Sequence, residues 1–175
     1  MQEDQLIKKV LDGDGRAQKA FYQKFAPKMY GVALRFARDR DEANDILQEG
    51  FVKVFTYLSS YKGSGSLEGW IRRTVVNTAI NYYKKNAKHQ SYSDLDTVMI
   101  FEKSQDVSAL DQMSASELLE HINKLPDGYR TVFNLNIIDG YTHKEIGEML
   151  DISENTSKSQ LSRARAYLQK RIVRK

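Results

Sequence analysis

Apolar residues recur at steps of three and four along nearly the whole chain, and no segment shows the two-residue alternation of a half-buried strand. A chain patterned this way folds as helices. Leu6, Ile7, Val10 and Leu11 predict a short first helix, closed by Asp12-Gly13-Asp14-Gly15. Phe21, Phe25, Met29, Val32, Ala33 and Phe36 predict a second, kinked or broken at Pro27. Ala43, Ile46, Leu47, Gly50, Phe51, Val54, Phe55 and Leu58 mark a third, opened by Asp41 and Glu42 at the positive end of its dipole. After the loop Tyr61-Lys62-Gly63-Ser64-Gly65-Ser66, Leu67, Ile71, Val75, Thr78 and Tyr82 line one side of a fourth, ending in Lys84, Lys85 and Lys88. Beyond it the periodicity weakens.

The stretch that follows is acidic and rich in serine, which reads as a linker; its Val98, Met99, Ile100 and Phe101 either dock on a neighbour or anchor a surface loop. Helical spacing then resumes. Leu118, Leu119, Ile122 and Leu125 form a helix stopped by Pro126, and Tyr129, Val132, Phe133, Leu135 and Ile138 form another, stopped near Gly140. Thr142 and Glu145 make a capping box before Ile146, Met149 and Leu150. Ser153 caps a final basic helix carrying Leu161, Ala164, Leu168 and Ile172. Short helix, tight turn and longer basic helix is the helix-turn-helix arrangement. The expectation is an all-α protein of two small helical domains, 1–89 and 113–175, joined by a flexible acidic linker over 90–112.

Composition narrows the functions open to such a fold. No cysteine is present, which excludes disulfides, thiolate metal sites and cysteine nucleophiles. No apolar run reaches the roughly 18 residues of a membrane span and the opening residues lack a signal-peptide core, so the expected location is the cytoplasm. The net charge of +4 is unevenly distributed: zero over 1–50, +6 over 51–90, −6 over 91–128 and +4 over 129–175. Two basic blocks flank an acidic one. Such asymmetry suits separate anion-binding surfaces as well as it suits solvated helix faces.

The fourth helix carries the most specific constellation. At 3.6 residues per turn, Trp70, Arg73, Asn77, Asn81 and Lys84 share one stripe, opposite the apolar positions. Amides pair with base edges, cations neutralise phosphates, and exposed aromatics stack on unpaired bases. Asparagine is a poor helix former, so two spaced i, i+4 in mid-helix call for a reason beyond solvation. The loop beside it lacks the GxxxxGK[ST] pattern and follows a helix, which rules out a nucleotide-binding P-loop. On the third helix, Asp41, Glu42, Asp45 and Glu49 have no histidine among them and adjoin Gln48, Phe51, Val52 and Phe55, which suits a protein partner better than a metal or an acid/base pair. Neither catalytic residues nor a cofactor or metal site is expected. In the last helix, Ser153, Asn155, Thr156, Lys158, Ser159, Ser162, Arg163 and Arg165 lie mostly away from the apolar stripe, where they can enter a major groove.

These segments, in this order, resemble the extracytoplasmic-function sigma factors of bacterial RNA polymerase. DEANDILQEGFVKVF is similar to the family's region 2.2, SYKGSGSLEGWIRRTVVNTAINYYKK to its regions 2.3 and 2.4, and LPDGYRTVFNLNIIDGYTHKEIGEMLDISENTSKSQLSRARAYL to its region 4. The resemblance implies that Asp45, Gln48, Glu49, Phe51, Val52 and Phe55 contact core RNA polymerase. It implies that Tyr61, Arg73, Asn77, Asn81, Lys84 and Lys85 meet the promoter's −10 element, and that the recognition-helix residues named above meet the −35 element. An anti-sigma factor is a further partner such proteins commonly have, and the linker would thread the RNA exit region. The recognition helix reads NTSKSQL where the family often has GTVKSRL, so Asn155, Ser157 and Gln160 differ at or beside base-reading positions. The competing reading is a conventional helix-turn-helix activator or repressor, which leaves the Asn77/Asn81 stripe and the acidic patch unexplained.

Overall fold

The computed structural model describes residues 2–89 and 113–172, and among these every regular element is helical. The expected acidic linker and its Val98–Phe101 patch lie outside the described residues. The described residues form two compact units, Met1–Tyr82 and Tyr83–Lys175.

In the first unit, helix α1 (Glu3–Leu11) buries Leu6 and Val10. Gly13 takes the left-handed turn at φ 83°, and the Asp14 carboxylate then accepts from Arg16 N and Ala17 N to start α2 (Gly15–Phe36). α2 runs unbroken through Pro27, so the expected break does not occur. Proline removes one N–H from the helix ladder. Buried Phe21, Phe25, Ala26 and Met29 on either side of it hold the helix through that gap. Helix α3 (Arg40–Tyr57) is capped by Asp39, which accepts from Glu42 N at 2.8 Å, while the buried Glu42 carboxylate accepts from Arg38 N at 2.7 Å.

A 3₁₀ turn over Leu58–Ser60 leads into the glycine loop, and Ser66 caps α4 (Leu67–His89) by accepting from Gly69 N at 3.0 Å. α4 buries Leu67, Ile71, Val75, Val76, Ala79 and Ile80. Where α3 meets it, a Cβ added at Gly50 would lie 3.2 Å from Val75 Cγ2, so the absence of a side chain sets the approach of the two helices. Tyr82 departs from expectation: it is half-exposed rather than packed in the apolar seam.

The second unit opens with α5 (Ala115–Asn123), entered through a Ser114/Glu117 capping box, and α6 (Asp127–Phe133). α6 widens into a π-turn over Asn134–Ile138, ended by Gly140 at φ 78°. The expected Thr142/Glu145 capping box starts α7 (His143–Leu150), with Glu145 N donating to Thr142 Oγ1 and Thr142 N to Glu145 Oε2. Asp151, left-handed at φ 56°, ends α7, and α8 (Glu154–Ile172) begins at Ser153, whose hydroxyl accepts from Thr156 N at 3.0 Å. Ile146, Leu150, Leu161, Ala164 and Leu168 are the buried apolar side chains of these two helices.

Gly147 makes that turn possible, because a Cβ there would stand 2.7 Å from the Ile152 carbonyl oxygen. Backbone cannot yield as a side chain can. Gly147→Ala should therefore destabilise the protein by about 1–3 kcal/mol despite alanine's better helix propensity. Gly31→Ala, on the exposed face of α2 with nothing within 4 Å of its added Cβ, should instead stabilise it by roughly 0.5–1 kcal/mol. Urea denaturation of both variants checks the contrast.

Candidate nucleic-acid and protein interfaces

The face that α4 turns away from its core carries the stripe expected from the sequence. Arg73, Asn77, Asn81 and Lys85 are exposed, and Lys84 is half-buried. Trp70, at the head of the stripe, is half-buried and packs on Tyr61, with ring centroids 5.9 Å apart and planes inclined at 52°. The Tyr61 hydroxyl donates to Gly65 O at 2.8 Å, and Gly63 and Gly65 both hold positive φ, so the loop is folded back over the start of α4. Two aromatic faces thus adjoin a row of amides and cations. That combination can stack an unpaired base and hydrogen-bond its edge while neutralising the backbone.

On α3 the acidic surface is continuous but its members differ in reach. Asp41, Asp45 and Gln48 are exposed, the Gln48 amide donating to the Tyr22 hydroxyl at 3.0 Å. Val52 projects with 65% of its surface accessible, an unusual exposure for a valine in a helix otherwise well packed. Phe51 is 2% exposed and meets Tyr22 edge-on at 4.8 Å, so it belongs to the packing beneath this surface rather than to the surface. Phe55 is half-buried against Phe21 and Phe51. The reason is geometric: on α3 the large rings face α2, and the outward apolar contribution falls to Val52. Glu49 is half-exposed and paired with Lys53 at 2.9 Å. The Tyr82 phenol is raised above its usual range by desolvation and by the nearby carboxylates of Glu49, Asp45 and Glu42.

In the second unit the outer face of α8 presents Ser153, Asn155, Thr156, Lys158, Ser159, Ser162 and Arg165 exposed, with Arg163 half-buried. Lys158 pairs loosely with Glu154 at 3.4 Å, a surface contact worth little in water. Ser157 is fully buried, its hydroxyl 2.8 Å from His143 Nδ1, which removes it from the face that can read bases. The sequence pattern around Ser157 carries no sign of this contact; only the turn brings the two residues together.

His143 is pushed below its ordinary value, first by desolvation and next by Lys158, with Arg165 adding to the effect and Glu154 opposing it. A histidine whose folded value is depressed stabilises the fold above its unfolded value near 6.5, and that contribution is lost as the pH falls towards the folded value. Acidification from pH 7.5 to 5.5 should therefore destabilise the wild-type chain more than His143→Asn, as urea titrations at the two pH values will measure.

Two sigma-70 family models match the chain: region 2 over residues 21–89 and region 4 over residues 115–168. The RNA polymerase sigma-H factor of Pseudomonas aeruginosa is 27% identical over 97% of this chain and 93% of its own. The ECF RNA polymerase sigma-E factor of Haemophilus influenzae is 26% identical over 95% of this chain and 93% of its own. Among solved structures, the sigma factor RpoE of Bartonella quintana, crystallised with the anti-sigma factor NepR, shares the fold with a TM-score of 0.53. It is 18% identical, and the match covers 89% of this chain and 96% of that one. Both matched regions occur in order, one in each half of the chain, and the chain belongs to the sigma-70 family as an extracytoplasmic-function sigma factor of RNA polymerase.

Proposed function

We propose that the protein docks on core RNA polymerase through α3, captures melted −10 bases on the α4 stripe and its loop, and reads the −35 element with α8. The observation that carries this reading is the exposure of Arg73, Asn77 and Asn81, beside the Tyr61/Trp70 aromatic pair, on a helix whose opposite side buries Leu67, Ile71, Val75, Val76, Ala79 and Ile80. A duplex-reading helix has no need of stacking rings. Base capture requires them, because stacking on an aromatic ring returns about 1–3 kcal/mol per base against an unstacking cost of a few kcal/mol.

Asp41, Asp45, Gln48 and Val52 form the docking surface, acidic with one apolar projection, which fits a basic and partly apolar polymerase element. Lys84 and Lys85 follow the DNA backbone. On α8, Asn155, Lys158, Ser159 and Arg163 are within reach of bases or phosphates, with Ser153 and Thr156 at the helix N-terminus favouring a phosphate and Ser162 and Arg165 along the flank. The chemistry of RNA synthesis belongs to the polymerase, and the protein works in the cytoplasm where that enzyme is. An anti-sigma factor that covers these faces is the expected antagonist.

Run-off transcription with purified core enzyme tests the whole reading. Asn77→Ala and Arg73→Ala should each lower open-complex formation about tenfold, the cost of one good base or phosphate contact, while leaving core affinity unchanged. Asp45→Lys should do the reverse, weakening core binding at least tenfold. A protein that retains its operator affinity alone and never co-purifies with core polymerase would instead be an ordinary helix-turn-helix regulator.

A further inference from the structure

Apolar contacts do not hold α8 evenly along its length. Its buried apolar side chains, Leu161, Ala164 and Leu168, begin at residue 161. Over Glu154 to Gln160, the end that carries Asn155, Thr156, Lys158 and Ser159, the buried residue is Ser157. A fully buried hydroxyl needs a partner, and this one meets His143 Nδ1 at 2.8 Å, at the start of α7. The contact forms with either tautomer of a neutral imidazole: Nδ1–H donates to the serine oxygen, or the hydroxyl donates to a bare Nδ1.

His143 is itself held firmly. The Thr142/Glu145 capping box closes around it, with Thr142 N donating to Glu145 Oε2 at 2.7 Å and Glu145 N to Thr142 Oγ1 at 3.2 Å. The family pattern GTVKSRL has valine where this chain, reading NTSKSQL, has Ser157. A valine anchors a helix by packing, which tolerates small rotations; a hydrogen bond has direction. The difference matters at this end of α8. Side chains reach about 5–6 Å from a helix axis, so a rotation of about 20° moves their tips by about 2 Å, more than a base contact survives.

We propose that His143 is a positioning residue for −35 recognition, which sets through Ser157 the rotation of α8 and hence which base pairs Asn155, Thr156, Lys158 and Ser159 meet. The proposal rests on the reading of α8 as the −35 helix given above. His143 acts through Ser157 and not on the DNA.

The test uses holoenzyme reconstituted from the full chain and core polymerase. Its probes are a duplex promoter fragment whose −35 element the wild-type holoenzyme has selected from a random pool, and the same fragment with one −35 base pair exchanged. His143→Ala and Ser157→Ala should each lower the ratio of matched to mismatched affinity about three- to tenfold, and the double variant should lower it no further than either one. His143→Asn should restore the ratio to within about twofold of wild type, because asparagine also carries a polar atom on Cγ, where Nδ1 is attached. Core affinity should not change in any of them. A wild-type ratio in either alanine variant overturns the proposal, as do additive losses in the double variant or an asparagine variant no better than alanine. Equal losses on matched and mismatched fragments mark a direct phosphate contact and overturn it too. Should His143→Ala fail to fold, Ser157→Ala decides, since alanine is the better helix former in the interior of α8. If the wild-type holoenzyme selects no −35 sequence from the pool, the reading of α8 has failed and the positioning role falls with it; that outcome is distinct from lost discrimination in the variants alone.

Discussion

The close approach of α3 and α4 at Gly50 and Val75 is the contact on which the first unit's function depends. With only a hydrogen at residue 50, the two helices can share an apolar seam in which Ile46, Leu47 and Val54 of α3 and Ile71, Val75 and Val76 of α4 are all buried. That leaves each helix one outward face to spend on recognition. α3 uses its face for carboxylates and a projecting valine, and α4 uses its own for amides, a guanidinium and the Tyr61/Trp70 pair. A bulkier residue at position 50 pushes the helices apart and tilts both faces at once. The hydrogen bond from Lys53 on α3 to the Thr78 hydroxyl on α4 then adds direction to a seam that supplies mainly attraction.

The second unit solves a different problem with the same economy of backbone. Its two C-terminal helices need a turn tight enough to bury Ile146 and Leu150 together with Leu161 and Ala164. Gly147 admits the Ile152 carbonyl, Asp151 takes the left-handed conformation, and Ser153 caps the next helix. The buried Ser157–His143 contact closes the inside of the turn. The outer face of α8 is left exposed, and its serines, asparagine and cations offer both donors and acceptors.

Helix number, the glycine stops and the Thr142 and Ser153 caps were legible in the sequence because each depends on local chemistry within one turn. The Ser114/Glu117 capping box carries the same signature and is readable by the same rule, as is the Asp39 cap of α3. Other features depend on what another helix places nearby. Pro27 reads as a kink or break until the rings around it are seen buried; Phe51 fits the apolar period of α3, and the polymerase contact the resemblance implies for it meets a ring already covered by Tyr22. Tyr82 fits the apolar period of α4, yet it is half-exposed near the carboxylates of α3, and Ser157 sits among base-reading positions until His143 meets it. The stripe of Arg73, Asn77 and Asn81 was visible because exposure on a helix follows directly from the position of its apolar face. Net charge alone, at +4, conceals this division into basic blocks on either side of an acidic one.

The central claim is that α4 holds unpaired bases, and the most direct measurement is photo-crosslinking from a benzoylphenylalanine placed at residue 77 of the full chain in reconstituted holoenzyme. In the open complex the crosslink should map to the non-template strand within the −10 element, and it should vanish when that segment is locked as duplex. A crosslink of equal strength to locked duplex, or one confined to protein, contradicts the account.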